Sequence, residues 1–192
     1  ANSVDTKKDL IRFKVSDDKK ITVIHNPVIE PNADHLIQQK IQHPWFSKQY
    51  CTLLSVGKLR IQKNYPLLLK AFSQISKERN DLRLIIIGDG PEKRNIISLI
   101  REFEIDEFVD IIPYVNNPYP YYKNTDCFVL TSDWEGFGNV VVEALYAGAK
   151  VIVSNCPGAP KEIVGNGRYG TVFEASNSDS LINAINENIK NS

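Results

Sequence analysis

The run Cys127-Phe128-Val129-Leu130-Thr131-Ser132-Asp133-Trp134-Glu135-Gly136-Phe137-Gly138-Asn139-Val140-Val141-Val142-Glu143-Ala144-Leu145-Tyr146-Ala147 decides how this chain is read. Its opening residues are the apolar, β-favouring set of a buried strand, and its last nine read as a helix. Two glycines between them mark a strand-to-helix turn. Glu135 lies in that turn and Glu143, after seven intervening residues, lies about one to two helical turns past the glycines. Gly136 and Gly138 let backbone N–H groups approach a ligand closely, and the helix start carries partial positive charge suited to phosphate. The turn therefore suits a ligand that is anionic in one part and hydroxylated in another. Acidic first turns and glycine turns also occur with no ligand, so the reading depends on what the rest of the chain brings here.

Outward from this run, strands and helices alternate. Upstream, residues 52–56 read as a strand, 57–64 as a glycine-led basic loop, and 65–76 as a helix with Pro66 near its start. Strand 82–87 ends at Gly88-Asp89-Gly90-Pro91, helix 92–103 follows, then strand 109–112 and a short aromatic helical turn at 119–124. Downstream of strand 127–131 and helix 139–147 come strand 150–153, helix 159–164, strand 170–173 and a final helix at 178–189. Near-continuous apolar strands, each followed by a helix, predict a parallel sheet covered on both faces. The expected class is α/β, a Rossmann-like doubly wound sheet of about six strands in the order 3-2-1-4-5-6. In that order the first and fourth strands are neighbours whose connections diverge, and ligands bind outside the carboxyl ends of strands at such a fork. The loops meeting there are the basic loop and the two-glutamate turn.

Size and composition narrow the classes. A chain of 192 residues, 42% hydrophobic, buries one core. With 23 basic and 23 acidic residues the formal charge is zero, which argues against a broad nucleic-acid or anionic-membrane surface. No apolar run reaches the roughly 18 residues of a membrane span and no leader pattern opens the chain, so a soluble, cytoplasmic chain is expected. Cys51, Cys127 and Cys156 are odd in number and widely spaced, which reads as buried reduced thiols. A chain without methionine that begins Ala1-Asn2-Ser3 reads as a piece of something longer or as one that has lost its initiator. Residues 1–20 read as a lead-in or linker segment, with an amphipathic helix over 4–13, and 21–192 as the ligand-binding domain. Within it, 21–25 is expected as a strand closed by Asn26-Pro27, and 32–42 as a helical surface excursion followed by Pro44-Trp45-Phe46. His25, His35 and His43 lack metal-like spacing and are expected at the surface.

The two loops carry complementary chemistry. Lys58 and Lys63 beside a helix start suit a diphosphate, whereas Glu135 and Glu143 are acceptors whose natural partners are sugar hydroxyls. Hydroxylated groups on either side of a diphosphate describe a nucleotide sugar. Competing signatures are missing: there is no Gly-x-x-x-x-Gly-Lys-Ser/Thr loop, no Gly-x-Gly-x-x-Gly after the first strand and no Gly-x-Ser-x-Gly elbow. Asp133-Trp134-Glu135 replaces the Asp-x-Asp that would cradle Mg²⁺ or Mn²⁺, so a metal-independent site with no cofactor is expected.

At this point the residues resemble a family. Glu135 to Glu143 resembles the E-x7-E motif of the group 1 (family 4) retaining glycosyltransferases, and the likeness extends over roughly residues 21–190. It includes Val56-Gly57-Lys58-Leu59 with Lys63, Ile87-Gly88-Asp89-Gly90-Pro91-Glu92, Asp126-Cys127-Phe128-Val129-Leu130, Glu143-Ala144-Leu145-Tyr146-Ala147-Gly148 and Gly158-Ala159-Pro160-Lys161-Glu162-Ile163-Val164. The resemblance implies the C-terminal, donor-binding half of a two-domain GT-B enzyme whose N-terminal acceptor domain is absent. It implies that Glu135 faces the donor sugar, with Lys58 and Lys63 on the diphosphate as catalytic groups. Gly57, Gly136 and the amides of Phe137, Gly138 and Asn139 would meet sugar and phosphate, Glu143 the ribose diol, and Tyr114 the base. Lys58 stands where the family usually has Arg. The implied donor is a UDP-sugar or similar, and the implied acceptor a lipid-linked or oligosaccharide glycan, with peripheral contact at the cytoplasmic membrane face. Two other classes remain open on sequence: a non-catalytic nucleotide-sugar-binding or partner subunit, and a nucleotide-sugar epimerase on a related scaffold. A UDP-sugar turnover assay with and without acceptor separates them.

Overall fold

A computed structural model describes residues 1–189; the last three positions of the expected domain, 190–192, lie outside the described residues. The chain runs α1 (Val4–Arg12), α2 (Ala33–Ile37), β1 (Cys51–Val56), α3 (Tyr65–Ser76), β2 (Leu82–Ile87), α4 (Lys93–Glu102), β3 (Val109–Ile112) and α5 (Tyr119–Asn124). It continues through β4 (Cys127–Leu130), α6 (Asn139–Tyr146), β5 (Val151–Ser154), α7 (Pro160–Ile163), β6 (Thr171–Phe173) and α8 (Ser178–Ile189). The six strands form one sheet in the order β3-β2-β1-β4-β5-β6, every neighbouring pair parallel. This is the doubly wound Rossmann-like α/β order expected from the sequence.

Because side chains alternate across a strand, each buried strand feeds two cores. Leu53, Leu84, Ile86, Val129 and Ile152 pack with Leu68 and Phe72 of α3 and Leu181 and Ile185 of α8. Leu54, Ile85, Ile87, Phe128, Leu130 and Val153 point the other way, against α2, Tyr119 and Tyr122 of α5 and Val141 and Ala144 of α6. A sheet covered on both faces tolerates no polar alternation, which is why these strands read as continuous apolar runs. The three cysteines are buried and free, and burial pushes the Cys51 thiol up to about 11. No helix among the described residues is long and apolar enough to cross a membrane.

One register matters for function. β1 and β2 are paired from Cys51↔Leu82 to Val56↔Ile87, whereas β1 and β4 pair at Leu53↔Cys127 and Leu54↔Phe128. The carboxyl halves of β1 and β4 separate, and the crevice opens there.

Three expectations for the first fifty residues need correction. Residues 21–25 form no strand. The segment is extended but outside the sheet: Ile24 N donates to Ala1 O at 2.8 Å, the Ala1 ammonium donates to Thr22 O at 2.9 Å, and Ile24 is 73% exposed. Without a strand neighbour to satisfy its other edge, β-favouring composition does not make a ladder. The expected helix over 32–42 is confined to α2, which buries Ala33 and Ile37. Trp45 and Phe46, which follow it, pack against the α5 and α6 core. His43 is not at the surface: its side chain is 8% exposed, with Nε2 3.1 Å from Asp110 Oδ2 and its ring edge-on to Trp45. His25 and His35 are exposed, as expected.

Candidate functional site

The basic loop leaves β1 as a tightly held strap. Gly57 N donates to Ile87 O at 3.0 Å, Leu59 N donates to Asp89 O at 2.9 Å, and Leu59 O accepts from Glu92 N at 3.0 Å. Leu59 is wholly buried, so it pins the strap to the loop that follows β2. A turn of 3-10 helix at Ile61–Lys63 leads to Asn64, which adopts a left-handed conformation (φ 47°, ψ 47°) and caps α3 by accepting from Leu67 N at 3.3 Å.

The strap is also stitched to the two-glutamate turn. Asp133 N donates to Gln62 O at 2.9 Å, and Gln62 Nε2 donates to Trp134 O at 2.7 Å. Asn64 Nδ2 donates to Asp133 Oδ1 at 2.8 Å, and the Thr131 hydroxyl donates to Lys63 O at 2.8 Å. Two crossovers separated by about seventy residues of sequence thus form one framework at the fork.

That framework brings Lys63 onto Glu135, a partnership that the sequence did not disclose. Lys63 Nζ lies 2.6 Å from Glu135 Oε1, and the Ser132 hydroxyl donates to the same oxygen at 2.6 Å. The side chains are 15% and 8% exposed. Oε2 has no hydrogen-bond partner among the described residues. Behind them, Ser154 Oγ donates to Ser132 O at 2.5 Å, and Glu135 N donates to Pro157 O at 2.9 Å. Gly158, at φ +118°, runs so close beneath Glu135 that a Cβ there would overlap the Glu135 carbonyl.

The second glutamate stands on α6. Gly138 (φ +90°) turns the chain into the helix, and Gly138, Asn139 and Val140 at the helix start line the crevice. Glu143 Oε2 accepts from the buried Tyr122 hydroxyl at 3.0 Å. Burial raises the Glu143 carboxyl above its ordinary range, the Tyr122 hydrogen bond opposes this, and the nearby Glu30 carboxylate adds to it. Phe137 is buried with its ring 5.6 Å from that of His25, and Asn139 Oδ1 accepts from Asn26 Nδ2 at 3.1 Å. Gly136 has open space around it.

Two cavities adjoin over this framework. The larger, about 640 Å³, includes Gly57, Lys58, Tyr114 and Glu143, with Gly88, Asp89, Gly90 and Pro91 opposite. The smaller, about 340 Å³, holds Lys63, Glu135, Phe137, Gly138 and Asn139. Gly57, Lys58, Arg60 and Val140 belong to both, so they form the seam between them. Both volumes fall in the range of small-ligand sites. Every residue singled out from sequence borders one or other cavity except Gly136, whose surroundings are open. Tyr114, 75% exposed, stands at the rim. Sequence reasoning missed Arg60, Gln62, Asn26 and Glu30. Arg60 and Gln62 sit inside the basic loop, whose composition is their signal. Asn26 and Glu30 lie in the segment mistaken for a strand and its exit, with no local signal. Among the described residues no three His, Cys, Asp or Glu side chains gather as a metal centre would require.

Comparison with known proteins identifies the family and the fold. The profile of the family described as "Glycosyl transferases group 1" matches residues 16–192. A Campylobacter jejuni relative, N-acetylgalactosamine-N,N'-diacetylbacillosaminyl-diphospho-undecaprenol 4-alpha-N-acetylgalactosaminyltransferase, is 29% identical over 185 residues, covering 96% of this chain and 48% of the relative. An uncharacterized glycosyltransferase of Haemophilus influenzae is 31% identical over 140 residues, covering 73% of this chain and 40% of its own length. The chain therefore spans about half the length of the curated relatives it matches. Among solved structures, the Anabaena protein HepE, in complex with UDP and glucose, superposes over 100% of this chain and 53% of its own with a TM-score of 0.83 at 22% identity. The fork, its two loops and the family profile lead to one statement: the chain belongs to the group 1 glycosyl transferases.

Proposed function

We propose that this chain is the C-terminal, donor-binding half of a GT-B glycosyltransferase. It would hold a UDP-sugar for retaining, hexosyl-type transfer to a lipid-linked or oligosaccharide acceptor bound by an N-terminal domain outside this chain. The observation that carries the proposal is the seam: a cavity with Glu143 on one side and a cavity with Glu135 on the other, joined by cationic side chains and the start of α6. The larger cavity suits a nucleoside, with Glu143, held from behind by the buried Tyr122 hydroxyl, at the ribose diol and the Tyr114 backbone at the base. The smaller suits a sugar, with Glu135 Oε2 at a hydroxyl and the amides of Phe137, Gly138 and Asn139 turned to sugar and phosphate. Gly57, which borders both cavities, would lie along the diphosphate, which Lys58 and the α6 start neutralise.

The chemistry follows from charge. In transfer with an oxocarbenium-like transition state, negative charge grows on the departing diphosphate, and groups fixed beside it before reaction are worth most. Lys58 and the α6 amides are so placed, and Lys63, holding Glu135, keeps its charge at the sugar end. We infer that these groups take the role that Mg²⁺ has elsewhere and that the site is metal-independent with no cofactor. The acceptor class rests on the Campylobacter relative, named for transfer to a diphospho-undecaprenol glycan, and on an Erwinia amylovora relative named for amylovoran biosynthesis. Such substrates suit a cytoplasmic enzyme peripheral to the inner membrane face.

Titration calorimetry of this chain with UDP tests the proposal; UDP comes first because the Anabaena neighbour holds it. UDP is expected to bind, and a UDP-sugar to be bound without transfer. Because the Glu143 carboxyl is raised by burial, it protonates earlier than an ordinary glutamate as pH falls. A protonated carboxyl loses acceptor capacity for the diol, so affinity is expected to be highest above that raised value and to decline below it. A chain that binds none of UDP, GDP or ADP refutes the donor-site reading, and efficient sugar transfer by this chain alone refutes the half-enzyme reading.

A further inference from the structure

We propose that Arg60 is a diphosphate-binding residue, the second uncompensated cation of the seam; this rests on the nucleotide-sugar reading above. Three cationic side chains border the crevice: Lys58, Arg60 and Lys63. Lys63 is matched by Glu135 at 2.6 Å, so the pair contributes no net charge. Among the described residues neither Lys58 nor Arg60 has a carboxylate within ion-pair distance; the ion pairs of the chain lie elsewhere. A sugar-linked diphosphate carries one full negative charge on each phosphate. Lys58 and the partial charge of the α6 start together fall short of two full charges, and Arg60 makes up the difference.

Geometry agrees. Leu59 is buried and fixed on both sides, its N–H to Asp89 O and its carbonyl from Glu92 N. Pinning the middle residue fixes the two that flank it, and both border both cavities. A group shared by the nucleoside-sized and the sugar-sized cavity stands where a ligand passes from one to the other, and in a nucleotide sugar that passage is the diphosphate. The residue type matters as well. Lys58 brings a point charge, whereas the Arg60 guanidinium can hold two phosphate oxygens at once in its planar fork. Arg60 is exposed and its side chain makes no hydrogen bond among the described residues, so its removal leaves the fold's own contacts intact.

Calorimetry and thermal melting on this chain, with UDP and with uridine as probes, test the assignment in the unchanged protein, Arg60→Ala, Arg60→Lys and Lys58→Ala. Arg60→Ala is expected to weaken UDP binding about tenfold, in line with loss of a charge-assisted contact. Uridine binding and the melting temperature should stay unchanged, and Arg60→Lys should recover part of the affinity. If Arg60→Ala binds UDP within about twofold of the unchanged chain while Lys58→Ala binds it weakly, the assignment to Arg60 is wrong and the donor site stands. A lower melting temperature accompanying the loss would also overturn it, because Arg60 would then be a structural residue. If the unchanged chain binds none of UDP, GDP or ADP, it is the nucleotide-sugar reading that fails.

Discussion

Lys63→Ala is expected to destabilise the chain by about 3 kcal/mol, far more than a lysine-to-alanine change at the surface. The cause is what remains behind. Glu135 is 8% exposed, and its Oε1 shares two donors, the Lys63 ammonium and the Ser132 hydroxyl, each at 2.6 Å. Removing the lysine leaves a buried carboxylate with one neutral donor, and loss of one partner of a buried pair costs more than loss of both. The paired change Lys63→Met with Glu135→Gln is therefore expected to recover most of the lost stability while restoring no activity. Chemical denaturation of the three proteins, compared by midpoint at constant slope, measures this. Equal stability of Lys63→Ala and the unchanged chain would show that the pair is dispensable to the fold. In the full-length enzyme the same single change should lower turnover strongly. Unaltered activity there would remove Lys63 from the catalytic set.

Gly158→Ala is the second large effect. Gly158 sits at φ +118°, where an L side chain is strained, and its Cβ would overlap the Glu135 carbonyl, which belongs to backbone and cannot swing aside. Strain and overlap together are expected to cost about 3 kcal/mol, and the turn carrying Glu135 must shift to relieve them. The site then suffers more than the core. UDP-sugar affinity should fall further than UDP affinity, because Glu135 stands at the sugar end while Glu143 and its Tyr122 contact lie on α5 and α6. Alanine at Gly167, also at positive φ but with open space around its Cβ, is the control and should be stable to within the cost of its backbone conformation.

The sheet was legible because the evidence for it is repeated. Six apolar runs, each followed by a helix, leave few topologies once parallel pairing and right-handed crossovers are required. Helix Tyr65–Ser76 was legible at its start because Pro66 fits the first turn, which Asn64 caps in the structure. Residues 21–25 misled because a strand needs a partner, and sequence does not say whether one is in reach. His43 misled for the converse reason: what buries it is Asp110, sixty-seven residues away, and the ring of Trp45. At the site, the motif spacing and the strand order together placed the two loops at the same fork. The pairing of Lys63 with Glu135 was not legible, since the two lie seventy-two residues apart and nothing in a linear spacing tells that each finds the other. That pairing shifts the cationic work of the seam toward Lys58 and Arg60.

The central claim is that the fork between β1 and β4 receives a nucleoside diphosphate through these two loops. An amide NMR titration of the isotope-labelled chain with UDP tests it most directly, because it reads where the ligand sits residue by residue. Shifts are expected at residues 57–60, 88–90, 114–115 and 137–143, with α8 and the amino ends of the strands undisturbed. Saturable shifts gathered on α8 or around α1, with the fork silent, would contradict it.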